Sequence, residues 1–566
     1  MIDEINIANL PGIGSIPQIA VPNEAPEEPP HPADVTPTPT SAALPQGSPS
    51  APSIGSGPIG DLNPTDRQLF LDVVAKYFSE DVAAPSISPE GGSAPSQSAT
   101  PSPFGEGWGE AASAQNGTTR PSFNGDDVEL SDTETVLREN GFGIGIPETE
   151  LVQNLHYEEA DVLNSDQIRG QFPVLNQKVN GHDLVWFDNG ATTQKPLRVI
   201  DGLSKFYKTD YSNIHRGAHT LAARSTDQYE AARQKVADFI NAPSQENIVF
   251  VRGTTEGINL IAQTFGRKFL SEGDNVIVST LDHHANIVPW QQIAKAQGAE
   301  LRAIPVDQNG DLILSEFERL ITPKTKFVSV GHVNNTFGTI NDVRTIIRIA
   351  HSHGIPVLID GAQSIAHTKV DVQELDADFF VFSGHKIYGP SGIGVVYGKK
   401  DWLAQLPPWQ GGGNMIKDVT IEKTEFNPPP ARFEAGTPNI ADAIGLGYAL
   451  DFVNSVGIYN IERHEHELTE YARQQIARIP GITIIGNPKH RVSVISLDIP
   501  GIPAPEVGQL LDKEGIAVRA GHHCAQPALR ALGYEMSVRP TFAVYNTKEE
   551  IDRLVIALQK IVADRT

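Results

Sequence analysis

From about residue 164 onward the apolar positions fall into two alternating rhythms. Short continuous apolar runs at 247–251, 275–279, 326–330, 357–359 and 379–382 are separated by stretches of helical spacing at 256–269, 287–297 and 343–353. Strands that are apolar on both faces and joined by helices of about 10 to 15 residues predict a parallel sheet covered on both sides. Ligands of such sheets collect beyond the carboxyl ends of the strands, so the loops there are the places to look for chemistry. After about residue 441 the rhythm changes. Two long helices (441–455 and 461–478) precede strands at 482–485 and 492–499. A helix follows Pro505, one strand ends at Arg519, another spans 537–545 and a last helix begins near Lys548. This grouping predicts a second, smaller α+β domain of about 120 residues.

Composition separates the beginning of the chain from the rest. Residues 1–150 carry 22 acids and 4 bases, a net of −18, and 21 of the 42 prolines. Segments such as Val35-Thr36-Pro37-Thr38-Pro39-Thr40 cannot bury enough apolar surface to offset their ordering entropy, so an acidic, disordered arm is expected. Within it, residues 63–80 place Leu69, Phe70, Val73, Val74 and Tyr77 on one helical face, which predicts a short helix. The expected organisation is therefore an arm over 1–150, a linker and N-terminal segment over 151–180, a large domain over 181–440 and a small domain over 441–566.

The whole chain holds 44 bases against 69 acids, which argues against a nucleic-acid binder held by a basic surface. The acidic start has no secretory character, and no apolar stretch reaches the ~18 residues needed to cross a membrane. No membrane association and a cytoplasmic location are expected. Cys524 is the only cysteine, which excludes an intrachain disulfide and argues against a cysteine-built metal site; no metal is expected.

The strand-end loops carry the candidate chemistry. The run at 357–359 leads into Asp360-Gly361-Ala362-Gln363, and the run at 379–382 into Ser383-Gly384-His385-Lys386, so an acid and a lysine converge on one crevice. Taken alone, the pair is better read as a plain salt bridge than as a reactive amine. The loop Arg252-Gly253-Thr254-Thr255-Glu256, at the start of a predicted helix, offers N–H groups and two hydroxyls to an anion such as a phosphate. Anion cradle, carboxylate and amine together are what pyridoxal phosphate requires. Asp282-His283-His284-Ala285-Asn286 adds imidazoles that could stack on a planar ring or move protons, and Gly331-His332-Val333-Asn334-Asn335 adds amides. In Arg519-Ala520-Gly521-His522-His523-Cys524-Ala525-Gln526-Pro527 the single thiol sits beside imidazoles and an arginine, a setting that favours thiolate; Arg539 is a candidate clamp for a substrate carboxylate.

These residues resemble the Suf-type cysteine desulfurases, pyridoxal-phosphate enzymes of the fold-type I, aspartate-aminotransferase-like superfamily. The resemblance runs from about residue 164 to 566. It is carried by the segments around Thr254, His283, Lys386 and Arg432-Phe433-Glu434-Ala435-Gly436-Thr437, and above all by Arg519-Ala520-Gly521-His522-His523-Cys524. It implies that Lys386 forms the Schiff base, that Asp360 pairs with the pyridine nitrogen and that Gln363 touches the phenolic oxygen. His283 would stack over the ring and move protons. Thr254, Thr255, Ser383 and His385 would hold the phosphate, with Thr437 reaching in from a second subunit. Asn335, Arg539 and Arg519 would bind the substrate, and Cys524 would accept sulfur.

The implied reaction converts L-cysteine to L-alanine and leaves the sulfur as a persulfide on Cys524. That sulfur would go to a SufE-like or SufU-like acceptor and an iron–sulfur scaffold, from a homodimer. The alternatives are a selenocysteine lyase, or an epimerase or aminotransferase of the same fold, neither of which needs a loop thiol. A non-catalytic scaffold recruiting partners through the arm is the reading from another class.

Overall fold

The computed structural model describes residues 165–215 and 217–565; the arm over 1–150, its helix at 63–80 and the first part of the linker lie outside the described residues. A seven-stranded sheet is the centre of the fold. Its strands are β1 (Ile248–Val251), β2 (Asn275–Ser279), β3 (Glu300–Ile304), β4 (Thr325–Gly331), β5 (Val357–Asp360), β6 (Phe379–Ser383) and β7 (Gly394–Gly398). They lie in the order β1-β7-β6-β5-β4-β2-β3. β2 through β6 pair in parallel, and β7 runs antiparallel between β6 and β1. The sheet is therefore mixed rather than wholly parallel, and β1 through β6 all point their carboxyl ends to the same edge.

The continuous apolar runs follow from burial on both faces. Along β6, Phe379 and Val381 face one core with Phe265, Trp290 and Phe327, while Phe380 and Phe382 face the other with Val395, Tyr388 and Ile444. Side chains of this size contribute about 1.5–3 kcal/mol each when fully buried. The helix Thr254–Phe269 lies close on the sheet: a Cβ on Gly257 would come within 2.8 Å of Val396 Cγ2, so glycine there sets the height of the helix start.

Sequence periodicity does not reveal β3 or β7. β3 is an edge strand whose residues Glu300 and Arg302 are exposed or half-buried, and β7 is bracketed by Gly394 and Gly398. The helix after β1 begins at Thr254, two residues before the predicted start, because Thr254 and Thr255 form its first turn behind Gly253.

Beyond the helices Ile440–Val456 and Ile458–Ile476 comes a four-stranded antiparallel sheet of β8 (Thr483–Ile485), β9 (Ser496–Asp498), β10 (Arg519–Gly521) and β11 (Ser537–Arg539), in the order β8-β9-β11-β10. β11 stops at Arg539 instead of running to residue 545; beyond Pro540, which has no N–H to donate, the pairing breaks up into single bridges from Thr541 to Val494 and Asp188. In the pairing of β10 with β11, Arg519 stands opposite Arg539. The two-residue strand Val185–Trp186 pairs in parallel with Ile516–Ala517, which brings the turn at 188–193 against this sheet. The closing helix Lys548–Ala563 starts with a reciprocal cap between Thr547 and Glu550. Among the described residues no helix is long and apolar enough to cross a membrane.

Candidate active site

A cavity of about 560 Å³ opens at the carboxyl edge of the large sheet, where β10, β11 and the loop between them close over it. Thr254, Thr255, His283, Asn335, Asp360, Gln363, Ser383, His385, Lys386, Arg519, Cys524 and Arg539 all line it. Twelve of the thirteen candidate residues thus meet in one place. The thirteenth, Thr437, stands apart and lines a separate cleft with Arg252, Glu256 and Gly392.

β6 ends where a single helical turn, Gly384–Lys386, turns the lysine inward. Among the described residues the Lys386 Nζ has no hydrogen-bond or ion-pair partner, so the plain salt bridge left open by the sequence is absent. Burial pushes the amine down to about 8, with the charge of Arg539 acting the same way and those of Asp360 and Cys524 acting against it. Asp360, at the end of β5, is buried; one carboxylate oxygen accepts from the Ala362 N–H at 2.9 Å, and the other has no hydrogen-bond or ion-pair partner among the described residues. Burial raises its pKa, opposed by the Ala362 bond and the charge of Lys386.

The ring of His283 is fixed in tautomer by its own turn. Its Nδ1 accepts from the Ala285 N–H at 3.0 Å, so the proton of the neutral ring sits on Nε2. Burial and then the charge of Lys386 lower its pKa to about 3, which keeps it neutral at physiological pH. Gln363 donates to the Gly190 carbonyl at 2.8 Å, and its side-chain carbonyl has no hydrogen-bond partner among the described residues.

The start of the helix after β1 forms a polar cradle. The Thr254 N–H donates to Ser383 Oγ at 2.8 Å, and the two hydroxyls lie 2.8 Å apart. A Cβ on Gly253 would crowd Ser383 Oγ at 3.2 Å. N–H groups, the hydroxyls of Thr254, Thr255 and Ser383 and the His385 ring suit a phosphate at a helix N-terminus.

Arg539 is buried; its Nη1 donates to the Asn335 carbonyl at 2.7 Å while its Nε has no partner among the described residues. Asn335 donates to the His523 carbonyl at 2.7 Å, and its buried Oδ1 likewise has no partner among the described residues. An arginine N–H and an amide oxygen left unpaired in one pocket wall are expensive unless a ligand satisfies them. Cys524 is exposed at the cavity mouth, with a left-handed backbone (φ 54°). Its N–H donates to His522 Nδ1 at 3.1 Å and its carbonyl accepts from the His284 N–H at 2.8 Å.

Two acids in the site escape sequence reasoning. Asp188 contacts both arginines, Arg519 at 3.0 Å and Arg539 at 3.7 Å. Its partners are more than 300 residues away in the chain, so no local pattern marks it. Asp282 accepts from the Ser279 and Gly331 N–H groups at 2.6 and 2.7 Å, tying the ends of β2 and β4 together, and burial raises its pKa to about 7. It was visible in the sequence beside His283 but had no evident task.

The chain matches the family described as Aminotransferase class-V over residues 185–554. It is 56% identical over 404 residues to a "Probable cysteine desulfurase" of Mycolicibacterium paratuberculosis, covering 71% of this chain and 59% of that relative. It is 55% identical over 395 residues to a "Cysteine desulfurase" of Synechococcus elongatus, covering 70% and 63%. The chain therefore spans less than two thirds of the length of either. Among solved structures, the cysteine desulfurase CsdA (S-sulfonic acid) of Escherichia coli has a TM-score of 0.67 at 40% identity, covering 71% of this chain and 99% of that one.

Proposed function

Because the chain belongs to the class-V aminotransferase family, we propose that it is a pyridoxal-phosphate-dependent cysteine desulfurase, converting L-cysteine to L-alanine and taking the sulfur onto Cys524. The observation that carries this reading is the meeting, in one cavity, of a half-buried lysine with no partner among the described residues and the only cysteine in the chain. Both the unmatched oxygen of Asp360 and the cradle at Thr254 and Ser383 fit that cofactor.

Lys386 would hold the cofactor, Asp360 would face its ring nitrogen, and Gln363 its phenolic oxygen, with His283 against the ring. Thr254, Thr255, Ser383 and His385 would take the phosphate. When bound, pyridoxal phosphate supplies an electron sink for the charge left as a bond to the amino acid's α-carbon breaks.

The rest is work for the chain. Arg539, with Asn335, would bind the substrate carboxylate and orient the amino acid. Lys386, once free, would take the α-proton; an amine with a pKa of about 8 is part neutral at physiological pH and can act as a base. The Cys524 thiolate would attack the substrate sulfur. A new S–S bond forms, the substrate's C–S bond breaks with its electron pair moving to the carbon skeleton, and a proton delivered to that carbon completes alanine. His283 Nε2–H would carry protons within the site.

We further propose a cytoplasmic homodimer that passes sulfur to a SufE-like or SufU-like acceptor and an iron–sulfur scaffold, with Thr437 completing the partner subunit's site. The acidic stretch 1–150 would stand outside this chemistry, as a separate arm ahead of the large domain (181–440) and the small domain (441–566). The test is an assay of alanine and sulfide from L-cysteine. Wild type should form both. Cys524→Ala should keep the yellow colour of the bound cofactor and form neither, and Lys386→Ala should lose the colour. An active Cys524→Ala protein would refute the reading.

A further inference from the structure

The Lys386 amine has no hydrogen-bond or ion-pair partner among the described residues, so its position rests on the backbone that carries it. That backbone is tightly wound. β6 ends at Ser383, one helical turn covers Gly384–Lys386, and the Gly384 carbonyl accepts from the Ile387 and Gly389 N–H groups at 3.1 and 3.0 Å. Tyr388 then takes a left-handed conformation, φ 60°, with its side chain fully buried. A residue with a side chain stays in that conformation only where its surroundings hold it there.

The segment 192–195 supplies the hold. The Tyr388 N–H donates to Thr193 Oγ1 at 2.7 Å, and the same hydroxyl gives its single proton to the His385 carbonyl at 3.1 Å. Thr193 thereby ties the residue just before Lys386 to the one two places after it. The His385 carbonyl also accepts from the Thr193 N–H at 3.0 Å and from Thr192 Oγ1 at 3.1 Å. Lys195 Nζ, with no carboxylate partner among the described residues, rests on the Thr193 and His385 carbonyls at 2.5 and 3.4 Å.

The segment is itself anchored. The Trp186 ring N–H donates to the Thr192 carbonyl at 3.2 Å, the Gln194 N–H donates to the Tyr545 hydroxyl at 3.1 Å, and Trp186 belongs to the strand paired with Ile516–Ala517. Thr193 is buried and absent from the cavity wall, so its hydroxyl serves the turn and not a ligand.

We propose that Thr193 is a positioning residue for Lys386: by bonding both flanks of the turn it fixes the direction in which the amine enters the cavity, and so favours a covalent bond from that amine to an aldehyde held in the cradle of Thr254 and Ser383. This inference rests on the proposed reading of Lys386 as the residue that holds the cofactor. Amine and aldehyde form a C=N bond and release one water. That equilibrium depends on where the nitrogen is delivered, whereas contacts to the phosphate and the ring do not.

The test compares pyridoxal phosphate with pyridoxamine phosphate, which fits the same cradle but has no aldehyde and cannot form that bond. Each is titrated into full-length protein freed of cofactor, and the ratio of the two dissociation constants is read. Thr193→Val is close in shape, removes both side-chain bonds and should reduce the preference for pyridoxal phosphate at least about tenfold. Thr193→Ser keeps both bonds and should retain the wild-type ratio. Thr193→Ala carries the same prediction as valine if the valine protein does not fold. A purely structural role would weaken both ligands together; an unchanged ratio in the valine or alanine protein, or a serine protein that behaves as they do, would overturn the proposal. A wild type with no preference for pyridoxal phosphate would instead overturn the reading of Lys386 as the cofactor's lysine.

Discussion

The amine of Lys386 is where burial has its largest chemical consequence. Burial lowers its pKa from 10.5 to about 8, and the charge of Asp360 is the strongest influence resisting that fall. One pKa unit is tenfold in the protonation equilibrium, so at pH 7.5 an ordinary lysine is ~0.1% neutral whereas one titrating at 8 is roughly a quarter neutral, a gain of ~200-fold in nucleophile. Replacing Asp360 with Asn removes the opposing negative charge and should move the inflection below 8. Competitive acetylation of the cofactor-free protein over a pH series, read by peptide mass spectrometry, measures this directly. A free lysine derivative blocked at its α-amine and carboxyl, added to the same mixture, serves as the internal standard. Lys386 should reach half-reactivity about two pH units below it. An inflection that tracks the free derivative, or one that rises in Asp360→Asn, would refute the argument.

Glu434 accepts from Arg233 at 2.6 and 3.0 Å and from the Phe250 N–H at 2.8 Å, with both charged side chains about 3% exposed. Removing Glu434 takes the buried carboxylate from Arg233, which keeps Glu230 and the Ile248 carbonyl at 2.9 Å each, and strips the Phe250 N–H of its acceptor, so Glu434→Ala should lose ~3 kcal/mol in denaturant unfolding, and a loss under ~1 kcal/mol would contradict that view. His351 is held by Asp378 at 2.7 Å and Asp376 at 3.0 Å, and the Asp378 bond raises its pKa above 6.5. A raised histidine stabilises the fold fully below its unfolded pKa, and that contribution is lost as pH climbs through the folded one. His351→Gln should therefore flatten the decline in stability that begins above about pH 6.5; an unchanged slope would show that the contact carries no linkage.

Much of this could be read from residue pattern because the large sheet's strands are buried on both faces and its chemistry sits immediately after them. Asp360, Ser383 and Lys386 are legible for that reason: a charged or polar residue at the end of an apolar run has few structural excuses. The strands β3 and β7 were not, one being a half-polar edge and the other too short and glycine-flanked to show a period. Local pattern also overran at Pro540, where an apolar stretch continues but the regular strand gives way to isolated bridges. Asp188 shows the deeper limit. Its significance comes entirely from contacts with Arg519 and Arg539, brought together by pairing between distant segments, and spacing along the chain holds no trace of them. Arg519 changes meaning for the same reason: a free cation in the sequence, it is a paired one in the fold.

The central claim is that sulfur from L-cysteine becomes bound to Cys524. Mass spectrometry of the Cys524 peptide, after the holoenzyme has been mixed with L-cysteine without reductant and digested, tests it most directly. The account predicts a peptide heavier by one sulfur atom, removed by a thiol reductant and absent when Lys386→Ala protein is treated in the same way. Alanine released while that peptide stays unmodified, with no acceptor present to take the sulfur, would contradict it.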